Sequence, residues 1–135
     1  MGLTSYNILL AASEVIVPVA LTYLALDGCA EMVETVQRVG KEHRREDLRV
    51  SLVVPTLYRK TALADEILAR LKTHFPGELS KTALGYNVKI DEAQSHGKTI
   101  WQYAPWSRGA QMLQAIAEEV FTAGAGRSSR PAQVA

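Results

Sequence analysis

The sequence predicts an α/β fold with a mostly parallel sheet. Two short runs, Glu14 to Val19 and Val50 to Val54, are β-branched and almost continuously apolar, which is typical of strands covered on both faces. Segments with helical spacing of apolar residues lie between and after these runs. Alternation of this kind indicates parallel strands joined by right-handed crossovers.

The first strand is expected to end at Pro18 and the second at Pro55, because proline cannot donate to a sheet ladder. A helix is predicted between them, with its charged residues on the side opposite the apolar face. That apolar face consists of Cys29, Met32, Val33, Val36, Val39 and Gly40. The first half of the chain is therefore predicted to be a strand, a crossover helix and a second strand.

A second helix is predicted after Thr61, whose hydroxyl can cap its first turn, and Pro76-Gly77 ends it. Its apolar face consists of Leu63, Ile67, Leu68, Leu71 and Phe75. A third, weaker strand is predicted from Thr82 to Ile90, where Gly85 and Asn87 interrupt the pattern. The alternation of strands and helices thus continues in the second half.

The last helix is predicted to begin near Ser107, after Pro105-Trp106. Its buried stripe is expected to consist of Leu113, Ile116, Ala117, Val120 and Phe121. From Ala123 onwards the residues are small and polar, which predicts a disordered tail over residues 123–135. The folded domain is accordingly expected to span residues 1–122.

Composition restricts the class of protein. The chain has 135 residues, 47% of them hydrophobic and 21% charged, which fits one globular domain and excludes a collagen or a charged tail. A net charge of +1 provides no strong long-range field, so DNA binding would need a local patch. The single cysteine, Cys29, cannot form an internal disulfide, which fits a reducing, cytoplasmic compartment.

One apolar segment, Ile8 to Leu26, is as long as the roughly 20 residues that a membrane span needs. It carries Glu14 and is broken by Ser13 and Pro18, so it predicts a buried strand with flanking elements and no membrane insertion.

Three sequence features resemble a phosphate-binding loop, a metal site and a nucleic-acid patch, but none of them has the full pattern that such a site needs. Gly97-Lys98-Thr99 has the end of a phosphate-binding P-loop, but Glu92 stands where that loop needs another glycine. The three histidines, His43, His74 and His96, are scattered and have no second ligand at metal spacing. A basic cluster is interleaved with acidic residues and is interpreted as a solvated helix end rather than a nucleic-acid patch. Its members are Arg38, Lys41, Arg44, Arg45 and Arg49.

A series of local motifs runs in order from about Leu3 to Val120. The matching stretches are Leu24-Ala25-Leu26-Asp27-Gly28, Val53-Val54-Pro55-Thr56-Leu57 with Arg59-Lys60-Thr61, Asn87-Val88-Lys89-Ile90, Glu92-Ala93, Ser95-His96-Gly97-Lys98, Ile100, Tyr103, Pro105 and Ser107-Arg108-Gly109-Ala110. Together they resemble the ParA/Soj-type chromosome and plasmid partitioning ATPases, deviant P-loop proteins related to MinD. The resemblance implies a partial three-layer α/β/α fold, the C-terminal half of that family's domain.

The resemblance also implies what this chain would not do. Family members bind ATP and Mg through a glycine-rich P-loop and two aspartates, which precede the point that Met1-Gly2-Leu3 matches. The chain is therefore predicted to have no catalytic residues, to need no cofactor and to hydrolyse no ATP alone.

The site residues that the resemblance implies fall into two sets. A vestigial adenine pocket would be formed by Pro55, Thr56, Gly85, Tyr86 and Asn87, with Gly85 in place of the family's usual proline. Non-specific DNA binding would use Lys60 and Lys89, which match surface arginines of the family. Lysine keeps the charge for a phosphate contact but loses the bidentate fork of arginine.

The resemblance leaves three functions open. The chain is a partitioning protein that contacts DNA, an inert remnant of a longer gene, or a module that regulates a full-length partitioning ATPase. A ParB-like protein and a full-length ParA-like subunit are the expected partners. Self-association is expected as well, because strands that are central in the family's sheet would become edges here.

Overall fold

The computed structural model describes residues 2–128 and contains eight elements in that range. These elements are α1 (Leu3–Ala11), β1 (Glu14–Ala20), α2 (Tyr23–Glu42), β2 (Arg49–Thr56), α3 (Ala62–His74), α4 (Val88–Ser95), α5 (Ile100–Tyr103) and α6 (Arg108–Ser128). The two strands pair in parallel across the crossover helix α2, which confirms the α/β prediction. The short helices α1, α4 and α5 were not predicted from the sequence.

Neither proline ends its strand, so both predicted strand ends are wrong. Pro18 lies opposite Val54, and Pro55 lies opposite Val19. Alternate residues of β1 direct their backbone groups to β2, as the bond from Leu21 N to Thr56 O shows. The nitrogen of Pro18 therefore faces the other edge of β1, where the described part of the chain places no strand and no donor is required.

Pro55 also lacks a backbone donor on the edge of β2 that faces away from β1, and the chain segment paired with that edge is irregular. Residues 78–86 run beside β2, first with Val53 N donating to Glu78 O at 2.8 Å and Ser80 N to Val53 O at 2.9 Å. A regular ladder would next need a donor from Pro55, which has none. The chain instead bulges, and Leu84 N donates to Pro55 O at 2.8 Å.

The predicted third strand, Thr82 to Ile90, is therefore wrong. The pairing takes the form of two isolated bridges: Val53 with Leu79, which precedes the predicted range, and Tyr58 with Gly85, which lies within it. Val88 already belongs to helix α4. Asn87, which was interpreted as an interruption of a strand, is the helix N-cap, and its side chain accepts from Lys89 N.

The sheet lies between two layers of helices. On one face, α2 and α3 cover Val17, Val19 and Val53, and Ile67 of α3 is fully buried there. On the other face α6 covers only β2, where Ile116 packs on Leu52 and Val54. The result is a partial three-layer α/β/α arrangement, as expected.

The buried stripe of α6 is narrower than predicted. Ile116 is buried and Leu113 and Val120 are partly buried, but Ala117 is exposed and Phe121 is 80% exposed. The helix contacts a sheet only two strands wide, so one row of side chains is enough to cover it.

The start of the predicted tail is also helical. Helix α6 continues to Ser128, past Ala123, although Gly124 and Gly126 are poor helix formers. The remainder of the predicted tail, residues 129–135, lies outside the described residues. Within residues 2–128, no helix combines the length and the apolar character needed to cross a bilayer, and Ile8 to Leu26 is divided among α1, β1 and the start of α2.

Candidate functional site

The site predicted from the sequence lies where the strands end. Ligands of open α/β sheets bind at the carboxyl ends of the strands. After β2, Leu57 adopts a φ of 54° and turns the chain. Tyr58 N then donates to Leu84 O, and Tyr86 N donates to Tyr58 O, each at 3.0 Å. These bonds join the turn after β2 to the segment around Gly85.

The structure brings the five predicted pocket residues to this edge, but most of them have structural contacts. Pro55 is fully buried, and Thr56 pairs with Ala20. Gly85 N contacts Met112 Sδ of α6 at 3.3 Å. Asn87 caps α4.

Position 109 requires glycine because α6 packs very closely against the start of α4. A Cβ at this position would lie 2.9 Å from Asn87 Oδ1 and 2.9 Å from Ile90 Cγ1, which is closer than such atoms come. Glycine therefore lets α6 pack directly on the cap of α4, and this contact holds the segment around Tyr86 in place.

Tyr86 is the member of the predicted pocket that exposes a large side chain, at 46%. The guanidinium carbon of Arg59 lies 4.2 Å from the centroid of its ring, in a cation–π contact. Sequence reasoning missed Arg59. Its position beside Lys60, in the turn directly after a buried strand, was the signal that could have identified it.

Lys60 lies at this edge, just before α3, and its side chain is 84% exposed. Its Nζ is 3.3 Å from Asp65 Oδ2, while Tyr58 OH donates to Asp65 Oδ1 at 2.8 Å. The hydrogen bond from Tyr58, followed by that from Lys60, lowers the pKa of Asp65. The hydrogen bond to Asp65 raises the pKa of Lys60, so this lysine stays charged.

Lys89 lies in the first turn of α4 and has a similar environment. Its Nζ donates to Glu92 Oε2 at 2.9 Å and lies 5.8 Å from the centroid of the Trp106 ring. Tyr103 OH donates to the same carboxylate oxygen at 2.9 Å. The hydrogen bonds from Lys89 and then Tyr103 lower the pKa of Glu92, and the pairing raises the pKa of Lys89. Both predicted DNA-binding lysines are thus charged, accessible and paired.

The P-loop-like sequence has a local structural role. Gly97, at a φ of 63°, follows helix α4 rather than a strand. Thr99 caps α5 in a capping box with Gln102. Lys98 is exposed between the two helices. Among the described residues, no group of His, Cys, Asp and Glu has the arrangement of a metal site.

Part of the basic cluster is structural. Arg45 donates to the backbone oxygens of Leu10 and Ala12 at the end of α1, the latter at 2.9 Å. Two further bonds of 2.8 Å join its guanidinium to Asp47. The prediction of a solvated helix end is wrong for Arg45, because this residue holds the C-terminus of α1 against the loop before β2.

The fold and this edge define a partial P-loop NTPase-like α/β protein. The chain is 37% identical over 125 residues to the sporulation initiation inhibitor protein Soj of Bacillus subtilis, covering 92% of this chain and 49% of that relative. It is 41% identical over 118 residues to the chromosome-partitioning ATPase Soj of Thermus thermophilus, covering 85% and 46%. The chromosome partitioning protein ParA of Caulobacter vibrioides is 28% identical over 134 residues, covering 98% and 49%.

No family model matches the chain. The relatives nevertheless agree with the motifs of the sequence, and the chain is similar to Soj and ParA chromosome-partitioning proteins. It spans about half the length of the curated relatives it matches, consistent with the C-terminal half that the resemblance implied.

Proposed function

We propose that this chain is a ParA-like partition protein, acting in chromosome or plasmid segregation in the cytoplasm, that contacts DNA without sequence preference and does not hydrolyse ATP by itself. The observation that carries the proposal is the 37% and 41% identity, over most of the chain, to two Soj proteins, one of them named a chromosome-partitioning ATPase. The finer parts of the proposal rest on the residues at the carboxyl edge of the sheet.

DNA contact is assigned to Lys60 and Lys89. The pairing of Tyr58 with Gly85 joins the two segments that carry these lysines, which supports a shared contact surface. Each would exchange its carboxylate partner for a phosphate, which is easy for Lys60 because exposed ion pairs are weak. With a net charge of +1 and few contacts, binding is weak and easily lost in salt.

The test is a titration of two labelled duplexes of equal length and unrelated sequence, followed by fluorescence anisotropy between 50 and 200 mM salt. Each phosphate contact contributes a slope of about −0.9 to log affinity against log salt, so Lys60→Ala and Lys89→Ala should each reduce its magnitude by about that amount. Lys72→Ala is the matched control, since Lys72 lies in the last turn of α3, about 15 Å along the helix from its start at Ala62. Preference for one duplex, or full binding by both alanine variants, would refute the assignment.

The pocket residues suggest a remnant of a base-binding edge rather than an ATP site. Pro55, Thr56, Gly85, Tyr86 and Asn87 would meet only the adenine, and most nucleotide affinity comes from phosphate contacts at a helix N-terminus after a glycine-rich loop. Gly97-Lys98-Thr99 offers no such loop, since it joins two helices. Magnesium and ATP are therefore assigned to intact family members and not to this chain alone.

The proposed partner surface is the open edge of β1, which would receive a second copy or a full-length ParA-like subunit. Ile16 is 43% exposed there, beside an apolar groove of about 370 Å³ between β1 and α2. Apolar strand edges pair readily with other chains. Sedimentation at tens of micromolar should show association that Ile16→Lys abolishes, whereas a wild-type monomer would count against this surface. A ParB-like protein is a further proposed partner.

A further inference from the structure

Arg59 and Tyr86 form a charged aromatic pair at the carboxyl edge of the sheet. The two residues are 27 positions apart in the sequence, and the backbone bonds around Tyr58 bring them together. The guanidinium of Arg59 lies 4.2 Å over the ring, and both side chains are exposed. The pair is therefore preassembled on the surface and does not serve to fill the core.

The bonding of Arg59 differs from that of its basic neighbours. Lys60 is paired with Asp65, and Lys89 is paired with Glu92. Within residues 2–128 the guanidinium of Arg59 has the ring contact but no carboxylate partner and no hydrogen bond. A cation–π contact leaves N–H groups of the guanidinium free to donate hydrogen bonds to a ligand.

We propose that Arg59, held by Tyr86, is a phosphate-binding residue for the nucleic-acid backbone and adds a third contact to those of Lys60 and Lys89. The guanidinium fork matches two phosphate oxygens, which a lysine cannot do. Contact with the ring restricts the side chain before binding, so less conformational freedom is lost when the phosphate arrives. This inference rests on the proposed DNA binding and names a residue that carries it.

The test uses the same salt titration with Arg59→Gln, which keeps a long polar side chain but removes the charge and the fork. Three contacts predict that wild-type affinity falls about 40-fold between 50 and 200 mM salt, and two contacts predict about 12-fold for the variant. Arg38→Gln is the matched control, because Arg38 is exposed near the end of α2, at the opposite edge of the sheet. It should retain the wild-type slope.

A second variant, Tyr86→Leu, distinguishes the contribution of the Tyr86 ring to DNA affinity from that of the Arg59 charge. Tyr86→Leu leaves Arg59 in place, so the slope should persist while affinity falls about twofold to fivefold, the loss expected for an exposed cation–π contact of about 0.5–1 kcal/mol. Inorganic phosphate provides a parallel arm. Competition by phosphate that depends on Arg59 and matches that of duplex at equal phosphate concentration would assign the pair to a small anion, and would overturn the inference.

The outcomes distinguish this inference from the proposed function. If Arg59→Gln keeps the wild-type slope while Lys60→Ala and Lys89→Ala lower it, the inference is wrong and the DNA-binding proposal stands. An equal loss in Arg38→Gln would show a general charge effect and overturn the inference too. If the wild-type chain binds neither duplex, both fail.

Discussion

We expect Glu119 of α6 to stabilise the segment that runs beside β2, at the point where this segment bulges opposite Pro55. Because Pro55 cannot donate, residues 81 and 82 leave the ladder. The carboxylate of Glu119 on α6 accepts from their backbone nitrogens, at 2.6 Å from Lys81 N and 3.3 Å from Thr82 N. One side chain thus satisfies two backbone donors that lie outside the pairing with β2.

Glu119→Ala should lower the free energy of unfolding by about 1.5–3 kcal/mol. A hydrogen bond to a charged group contributes about 1.5–3 kcal/mol, and water can replace part of two such bonds at this partly exposed site. Glu119→Gln keeps an acceptor without the charge and should lose about half as much. The measurement is urea denaturation followed by circular dichroism, with an unchanged dependence on urea concentration.

Glu118→Ala is the matched control. It removes the same charge from the adjacent position of α6, where the Glu118 carboxylate accepts only from the exposed Gln114 side chain among the described residues. Its expected cost is within about 0.5 kcal/mol of zero, as for most surface changes. Equal destabilisation by Glu118→Ala and Glu119→Ala would refute the role assigned to the bulge.

Two further predictions concern ionisable groups. The pKa of Glu92 is lowered, chiefly by Lys89 and then by Tyr103, so the ionised carboxylate contributes stability above about pH 4.3 that is lost as the pH falls through the folded-state value. Glu92→Gln should therefore show a shallower loss of stability in acid, and a slope equal to that of the wild type in urea titrations from pH 5 to 3 would contradict this. Burial raises the pKa of the Cys29 thiol, which is 3% exposed, so a thiol reagent at pH 8 should modify it only as fast as the protein opens. Immediate stoichiometric labelling of the native protein, compared with labelling in urea, would contradict that prediction.

The elements that the sequence predicted are those defined by local burial. The runs around Val17 and Val53 are apolar because both faces of the sheet are covered, and such runs are visible without a structure. Thr61 and Ser107 were predicted at helix starts, and both hydroxyls accept from the backbone three residues later. Capping depends on nearby residues, so local sequence is enough to find it.

The errors arise where a neighbouring segment determines the outcome. Whether Pro18 ends a strand depends on which edge its nitrogen faces, and that is set by pairing with β2. Asn87 was interpreted as a strand interruption, but the bonds to the segment after β2 end at Tyr86, and Asn87 caps α4. The contact between Arg59 and Tyr86 needs the same distant pairing, so no local pattern could reveal it.

Our central proposal is that this chain carries the edge that contacts DNA but no phosphate-transfer chemistry of its own. Its most direct test is a phosphate-release assay on the purified chain with ATP and magnesium, beside Lys98→Ala. We expect both proteins to release phosphate at the rate of buffer alone, since hydrolysis in phosphoryl-transfer enzymes depends on positioned lysine, metal and water-orienting groups. Magnesium-dependent turnover would contradict the claim. If Lys98→Ala abolished that turnover, Gly97-Lys98-Thr99 would be a working phosphate loop, and if turnover survived, another site would have to supply it.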